Sequence, residues 1–211
     1  MFKSKYSENN QYFGHEIITG LEKIIRSASS ENCKAIDIGC GQGRDALYLA
    51  RRGIKVTAFD LEAIAVEQLR EIAERDALPL TALCQDIRTA ELPPDFYDIG
   101  IARTIFDHLN KVDVPIAVKK LKATVRKDGH VFITVFTEED PGYHCKPGIM
   151  SECSASIKHY FEKGELREYF ADWKIIFYSE HVKNDLTHGP PHKHGVAKLI
   201  AKKGTSHPCK L

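Results

Sequence analysis

The segment that decides the fold is the glycine-rich turn Ala35-Ile36-Asp37-Ile38-Gly39-Cys40-Gly41-Gln42-Gly43. It begins in a short apolar run, residues 34–38, of the kind that forms a buried parallel strand. A helical pattern follows it over residues 44–52. Glycines at such a junction let the backbone approach a ligand closely because they carry no Cβ. The segment therefore predicts a ligand site at the carboxyl end of the first strand of an open α/β sheet.

Strand and helix patterns alternate on both sides of this turn. We expect helices over residues 14–28, 61–75 and 114–125, and strands over residues 55–59, 80–84, 96–102 and 130–136. After these come a helix over 162–170 and strands over 173–179 and 196–201, joined by a His- and Pro-rich connection, 187–195. The alternation predicts an α/β, doubly wound, mostly parallel sheet. The two late strands predict a C-terminal hairpin.

The bulk composition is that of an ordinary globular protein. Of the 211 residues, 43% are hydrophobic and 28% are charged, and the formal net charge is +1. A net charge this close to zero lacks the excess of positive charge that is typical of proteins that bind nucleic acid or an anionic membrane. The sequence lacks the apolar core of a signal peptide, and its six cysteines are scattered. We expect a cytoplasmic protein that binds neither nucleic acid nor membrane, in an oligomeric state that the sequence leaves open.

Two details of the glycine turn indicate which kind of cofactor it holds. The spacing is Gly39-x-Gly41-x-Gly43, and Arg44 stands where the dinucleotide fingerprint has its third glycine. Asp37 lies inside the strand, where a carboxylate suits an ammonium group and repels a pyrophosphate. The turn therefore favours an amino-acid-bearing nucleoside over a dinucleotide. A nicotinamide-dependent oxidoreductase and a non-catalytic cofactor-binding module remain as alternatives.

Carboxylates also follow the second and third predicted strands. Asp60, with Leu61 beside it, ends the second strand and can accept hydrogen bonds from both ribose hydroxyls. Asp86 follows the third strand and can accept a hydrogen bond from the adenine amine. The backbone N–H of Ile87 can donate a hydrogen bond to a nitrogen of the adenine ring. Each acid alone is also typical of a helix N-cap or a solvated loop. Because Asp37, Asp60 and Asp86 come at three successive strand ends, together they predict a cofactor site.

The segment Asp37–Arg44 resembles the first motif of the class I S-adenosylmethionine-dependent methyltransferases, with Asp60 as their ribose acid and Asp86 as their adenine-side acid. The resemblance covers roughly residues 35–136. It implies a Rossmann-like, seven-stranded sheet whose last strand is antiparallel, with S-adenosyl-L-methionine as cofactor and S-adenosyl-L-homocysteine as product. The expected cofactor-binding residues are Asp37, Gly39, Cys40, Gly41, Gly43, Arg44, Asp60, Leu61, Asp86, Ile87, Arg103 and Tyr12.

Three further segments are similar to the tellurite-resistance methyltransferases: residues 43–50 (GRDALYLA), 161–173 (FEKGELREYFADW) and 197–203 (AKLIAKK). That family methylates tellurite and selenium species, and some related enzymes methylate thiols. The length of 211 residues fits one domain or two small ones, and we expect one methyltransferase domain over residues 1–211. Its parts would be an N-terminal helical lid (1–30), a cofactor-binding core (34–136) and acceptor-side elements with the last two strands (137–211).

The acceptor side is expected in the last hairpin. Members of that family place a histidine and arginines there, near the transferring methyl. In this chain the connection reads Leu186-Thr187-His188-Gly189-Pro190-Pro191-His192-Lys193-His194, with histidines and a lysine where the family has arginines. The acceptor predicted by the resemblance is a small molecule, either a chalcogen or metalloid oxyanion (tellurite, selenite) or a thiol.

Four residues are the expected catalytic groups: His188, His192 and His194 in this connection, and Arg103 after the fourth strand. Positive or hydrogen-bonding groups can hold a soft nucleophile, and histidine can also take a proton near neutral pH. A solvated, proline-stiffened loop explains the same histidines without catalysis. A metal site on the three histidines is a third and weaker interpretation, and we expect no metal.

Overall fold

Seven strands form one mixed sheet in the computed structural model of the chain, which describes residues 32–143, 156–185 and 192–204 together with Tyr6, Leu21, Glu22 and Ile25. The strands are β1 (Lys34–Ile38), β2 (Lys55–Asp60), β3 (Leu80–Cys84), β4 (Tyr97–Arg103), β5 (Val125–Phe136), β6 (Lys174–Asp185) and β7 (His192–Lys202). Their order is β3-β2-β1-β4-β5-β7-β6. The first five strands pair in parallel, whereas β7 is antiparallel to both β5 and β6. The predicted doubly wound sheet with an antiparallel C-terminal hairpin is confirmed.

Helices cover both faces of this sheet. They are α1 (Arg44–Ala50), α2 (Ala63–Arg75), a 3₁₀ turn (Phe106–His108), α3 (Val114–Thr124) and α4 (Glu165–Glu168). The apolar residues of α1 and α2 pack on one face, and those of α3 pack on the other with Phe161, Phe170 and Trp173. Central strands buried on both faces read as continuous apolar runs, which is why β1 and β4 stand out in the sequence. No helix among the described residues is long and apolar enough to cross a lipid bilayer.

The C-terminal hairpin differs from the prediction in its length. The expected connection, residues 187–195, was wrong for His192–Gly195, because β7 begins at His192 and pairs it with Asp185 of β6. β6 is an edge strand with most residues exposed or half-buried, so its polar second half shows no alternation from which a strand could be predicted. The predicted helix over 162–170 is also shorter, since only Glu165–Glu168 is α-helical.

Little of the expected N-terminal lid lies within the described residues. Tyr6, Leu21, Glu22 and Ile25 are helical, and Tyr6 and Leu21 are buried. The remaining residues of the lid, including Tyr12, lie outside the described residues.

Candidate functional site

A cavity of about 780 Å³ opens at the carboxyl ends of β1, β2 and β4. Parallel strands bring their carboxyl ends to one edge, where open α/β sheets bind ligands. Ten of the twelve predicted cofactor residues line this cavity: Asp37, Gly39, Cys40, Gly41, Arg44, Asp60, Leu61, Asp86, Ile87 and Arg103. The structure therefore brings together residues from β1, β2, β4, α1 and the turns between them, and their individual roles toward a cofactor stay predictions.

The glycine turn is held against the end of β2 by hydrogen bonds. The amides of Gly39 and Cys40 both donate to the Phe59 carbonyl, at 2.8 and 3.0 Å. The Asp60 carboxylate accepts from the Gly41 amide at 2.8 Å and from the Glu62 amide at 2.9 Å. Each carboxylate oxygen can accept a second hydrogen bond. Asp60 therefore fixes the turn and keeps acceptor capacity toward the cavity.

Gly43 does not line the cavity, so the structure does not place it with the other predicted cofactor residues. Its φ is +80°, and a Cβ built on it would lie 2.3 Å from Leu69 Cδ1 on α2. This glycine lets the start of α1 pack closely against α2. Sequence spacing could not separate that packing role from ligand binding, because both require a residue without a side chain.

Three neighbouring carboxylates, those of Asp37, Asp45 and Asp60, line the cavity. Burial first, and then the nearby carboxylates of Asp45 and Asp60, raise the pKa of Asp37 well above its usual value. Burial raises the pKa of Asp45 to about 6, although Arg44 acts to lower it. Burial also raises the pKa of Asp60. Such a site stabilises positive charge in a ligand, because a cation relieves the repulsion between the carboxylates.

Arg103 forms an ion pair with one of these acids. Arg103 Nε lies 2.9 Å from Asp45 Oδ2, and the two side chains are 16% and 5% exposed. Asp45 Oδ1 and Arg103 Nη2 are buried and have no hydrogen-bond partner among the described residues. Buried polar atoms are normally satisfied, so these two atoms have hydrogen-bonding capacity that no described residue uses.

Asp86 lines the other end of the cavity, already paired with a guanidinium. Its Oδ1 accepts from the Arg88 amide at 2.8 Å, and its Oδ2 lies 2.6 Å from Arg88 Nη2. These hydrogen bonds hold the pKa of Asp86 below its usual value. Asp86 is thus an ionised acceptor whose partner is Arg88, while its predicted role toward an adenine amine stays a prediction.

The cavity wall next to Arg103 is formed by the 3₁₀ turn and by the segment that starts at Ser156. His108, Ser156 and Lys158 line the cavity there. His108 Nδ1 lies 3.1 Å from the Ser156 carbonyl oxygen, and burial lowers the pKa of His108. A neutral imidazole in this wall is able to offer or accept a hydrogen bond.

The hairpin histidines lie elsewhere. His192 and His194 are in β7 and do not line the cavity. His194 is buried, with its Nδ1 2.8 Å from Asp140 Oδ2, and its Nε2 is 2.8 Å from His192 Nε2. A solvated loop is therefore the wrong description of these two residues. No group of three or more potential ligands among the described residues has the arrangement of a metal site, and His188 lies outside those residues.

Sequence reasoning missed Asp45 and Asp140. Asp45 stands in the first turn of α1, where an acid is typical because it complements the helix dipole, so its sequence signal is that of an ordinary helix start. Asp140 follows β5 in a polar turn and resembles a solvated loop acid. Their burial, 5% and 1% exposed, depends on contacts with residues far along the chain.

Comparison with known proteins agrees with this geometry. Residues 2–190 match the family described as "Tellurite resistance protein TehB". Hemagglutinin 1 of Eikenella corrodens is 34% identical over 167 residues, which are 78% of this chain and 52% of that protein. The "Probable S-adenosyl-L-methionine-dependent methyltransferase TehB" of Haemophilus influenzae is 30% identical over 185 residues, 84% of this chain and 59% of that protein. The chain thus spans between half and two thirds of the length of these relatives.

Solved structures show the same fold. The crystal structure of TehB from Haemophilus influenzae superposes with a TM-score of 0.76 at 26% identity, covering 95% of this chain and 66% of that one. A 1,6-didemethyltoxoflavin-N1-methyltransferase from Burkholderia thailandensis, with S-adenosylhomocysteine bound, superposes with a TM-score of 0.62, covering 82% of this chain and 72% of that one. At 18% identity the second likeness concerns the fold alone.

Proposed function

Because the chain belongs to the tellurite resistance protein TehB family, we propose that it is an S-adenosyl-L-methionine-dependent methyltransferase acting on a small-molecule acceptor. The observation that carries this proposal is the acidic, glycine-lined cavity at the ends of β1, β2 and β4, with Arg103 in its wall. The name of the Haemophilus influenzae relative supports the same activity.

The residues present fit this cofactor. Its methionine part carries an ammonium and a carboxylate, which match the unsatisfied atoms Asp45 Oδ1 and Arg103 Nη2. Asp37 adds a second buried carboxylate beside them, and Asp60 offers acceptor capacity for ribose hydroxyls. When bound, S-adenosyl-L-methionine supplies a methyl group on a positively charged sulfur, which a nucleophile attacks in line.

The protein's contribution is to bind, orient and shield. Pre-formed carboxylates stabilise a cationic ligand without reorganisation at the moment of reaction. The hydrogen bonds from Gly39, Cys40 and Gly41 keep the turn rigid, and rigidity preserves the alignment of donor and acceptor. The same acids oppose a pyrophosphate, because two negative groups would meet in a buried site. A nicotinamide-dependent oxidoreductase is therefore disfavoured.

For the acceptor we propose a chalcogen or metalloid oxyanion, such as tellurite or selenite, or a thiol. The family description, which names tellurite resistance, supports tellurite, and selenite and thiols extend the proposal to acceptors of related chemistry. The net charge of +1 supports an acceptor other than nucleic acid. The scattered cysteines are consistent with a proposed cytoplasmic location.

The test is calorimetric titration of the protein with S-adenosyl-L-homocysteine and, separately, with NADH. We expect saturable binding of S-adenosyl-L-homocysteine alone, lost in Asp60→Ala. It should be retained in Glu91→Ala, which removes an exposed carboxylate outside the cavity. Binding of NADH without S-adenosyl-L-homocysteine would overturn the proposal. Product analysis with tellurite, selenite and small thiols then follows.

A further inference from the structure

The segment that follows β4 packs directly on the glycine turn. Ile105 makes this contact, since a Cβ added to Gly39 would lie 2.5 Å from Ile105 Cγ1. The 3₁₀ turn begins one residue later, and the His108 amide donates to the Ile105 carbonyl at 3.1 Å. Gly39, Ile105 and His108 all line the cavity. The wall that carries His108 is therefore in contact with the turn that is predicted to hold the cofactor.

A second segment, which starts at Ser156, is fastened to this 3₁₀ turn. The amides of Lys158 and His159 both donate to the Asp107 carbonyl, at 2.8 and 3.1 Å. His108 Nδ1 lies 3.1 Å from the Ser156 carbonyl oxygen, and because a carbonyl oxygen can only accept, Nδ1 is the donor. Three hydrogen bonds thus fix the backbone that places Lys158 in the wall of the cavity.

Lys158 differs from the other basic residues that line the cavity. Those residues already have polar partners or other interactions within the protein: Arg44, Arg51, Arg52 and Arg103. Lys158 is exposed, and no described residue accepts a hydrogen bond from its ammonium or forms an ion pair with it. The Lys158 ammonium is therefore a positive charge in the cavity wall that is available to a ligand.

The imidazole beside Lys158 does not compensate for this charge. Burial lowers the pKa of His108, and the charge of Lys158 adds to the lowering, although the hydrogen bond to Ser156 and the charge of Asp60 act in the opposite direction. His108 is therefore neutral near pH 7. The two electrostatic effects also show that His108 lies within reach of both Lys158 and Asp60. One neutral ring thus stands between the acidic end of the cavity and the Lys158 ammonium.

A cation in this place suits an acceptor of negative charge. An anion loses hydration when it leaves water for the cavity, and a nearby ammonium offsets part of that cost. With selenite, the lone pair on selenium forms the bond to the methyl carbon, and the electron pair of the broken methyl–sulfur bond stays on the donor sulfur. The anion loses one negative charge as the sulfonium becomes a neutral sulfide, so this step requires no general base.

We propose that Lys158 is an acceptor-binding residue that selects a negatively charged acceptor, an oxyanion such as selenite or tellurite, over a neutral thiol. The inference rests on the proposed methyltransferase function and adds to it the residue that distinguishes between the acceptors. The acids Asp37, Asp45 and Asp60 favour the cationic donor, and Lys158 favours the anion that attacks it. Opposite charges at the two sides of one cavity would keep donor and acceptor apart until their reacting atoms meet.

The test is calorimetric titration of selenite into protein saturated with S-adenosyl-L-homocysteine. We expect saturable binding to the wild type and binding about 3- to 5-fold weaker to Lys158→Met, the size of effect that an ion pair near solvent produces. Lys158→Arg keeps the charge and should bind selenite within about 2-fold of wild type. Lys163→Met is the matched control, because it removes an exposed lysine outside the cavity, and should leave the affinity unchanged.

Equal affinities of wild type and Lys158→Met would overturn the proposal, as would an equal loss in Lys163→Met. The absence of selenite binding by a wild type that binds S-adenosyl-L-homocysteine would overturn it too. Salt gives a second readout that a purely structural role would not change. Because sodium chloride screens an exposed charge, selenite affinity should fall more steeply with salt in wild type than in Lys158→Met. Equal salt dependence in the two proteins would contradict a role for this charge.

Turnover provides the comparison between acceptors. We expect Lys158→Met to lower kcat/KM for selenite about 3- to 5-fold, chiefly through KM, and to leave kcat/KM for 2-mercaptoethanol, which is neutral, within about 2-fold of wild type. Equal losses with both acceptors would overturn the charge selection. A wild type that methylates 2-mercaptoethanol but neither selenite nor tellurite would do the same.

The two proposals fail in different ways. Wild-type protein that does not bind S-adenosyl-L-homocysteine would contradict the methyltransferase function itself. Binding of S-adenosyl-L-homocysteine that is equal in wild type and Lys158→Met, together with selenite binding that does not depend on Lys158, would contradict only the role of this lysine.

Discussion

Arg103 Nε meets Asp45 Oδ2 at 2.9 Å and so ties the end of β4 to the first turn of α1. Arg103 is the last residue of β4, which pairs with β1, and both residues line the cavity. Because neither side chain is more than 16% exposed, each depends on the other to offset the cost of burying its charge. The pair therefore shapes the site, and neither residue can be removed without leaving the other's charge buried and unpaired.

Removing one partner of this pair should be costly. We expect Arg103→Leu to lower the free energy of unfolding by about 3–5 kcal/mol, because it leaves Asp45 as an uncompensated buried acid. The double variant Arg103→Leu with Asp45→Leu should recover part of that loss. Urea denaturation measures both, and Arg75→Leu, which breaks the exposed pair with Asp76, should change the midpoint little. A double variant less stable than Arg103→Leu would contradict the coupling.

Most of the sheet could be predicted from the sequence. β1 and β4 are buried on both faces, so their apolar runs carry an unambiguous signal. The glycine turn and the acids at the ends of β2 and β3 follow those strands directly, and the topology brings strand ends to one edge. Placing Asp37, Asp60 and Asp86 around one cavity therefore needed no knowledge of side-chain contacts.

What could not be predicted depends on contacts between distant residues. Gly43 is needed for the packing of α1 against α2, because the Leu69 side chain lies against it. The sequence around Gly43 does not indicate this contact. His192 and His194 were expected in a loop because residues 187–195 are rich in histidine, proline and glycine and show no apolar alternation. Asp140 and Asp45 acquire their partners only when β7 and β4 are in place.

The pKa of Asp45 gives a pH dependence with a definite sign. The pKa of Asp45 in the folded state, about 6, lies above the ordinary value of 3.8. Between pH 4 and pH 6, Asp45 is therefore protonated to a greater extent in the folded state than in the unfolded state. The free energy of unfolding should then fall as the pH rises from 4 to 6. The measurement is urea denaturation across this range, taken as the difference between wild type and Asp45→Asn. A difference that grows with pH would refute the assignment.

Gly43 and Gly53 form a matched pair for testing close packing. Both have positive φ, +80° and +79°, but an added Cβ meets Leu69 at 2.3 Å in the first case and no atom within 4 Å in the second. We expect Gly53→Ala to lower the free energy of unfolding by about 1–2 kcal/mol, the cost of left-handed backbone alone. Gly43→Ala should cost about 1–3 kcal/mol more because of overpacking. Equal losses in thermal or urea unfolding would show that Leu69 moves aside freely.

Asp107 provides a test of a buried acid that is held toward its neutral form. It is fully buried, accepts the Phe136 amide at 2.7 Å, and has its pKa raised well above the ordinary value by burial and by Asp140. Asparagine imitates a neutral carboxyl, so Asp107→Asn should stay within about 1 kcal/mol of wild type near pH 5. Asp107→Leu should lose about 1–3 kcal/mol, because it leaves the Phe136 amide unsatisfied.

The pH dependence of the stability of Asp107→Asn distinguishes a protonated Asp107 from an effect of side-chain packing alone. A raised pKa in the folded state means that wild type loses stability relative to Asp107→Asn as the pH rises from 5 to 8. Asp86 should show the opposite sign, because Arg88 lowers its pKa. Wild type should therefore gain stability relative to Asp86→Asn as the pH rises through the acid range, from about 2 to 5. Urea denaturation midpoints at four pH values would measure both trends, and parallel trends for the two variants would rule out the neutral form of Asp107.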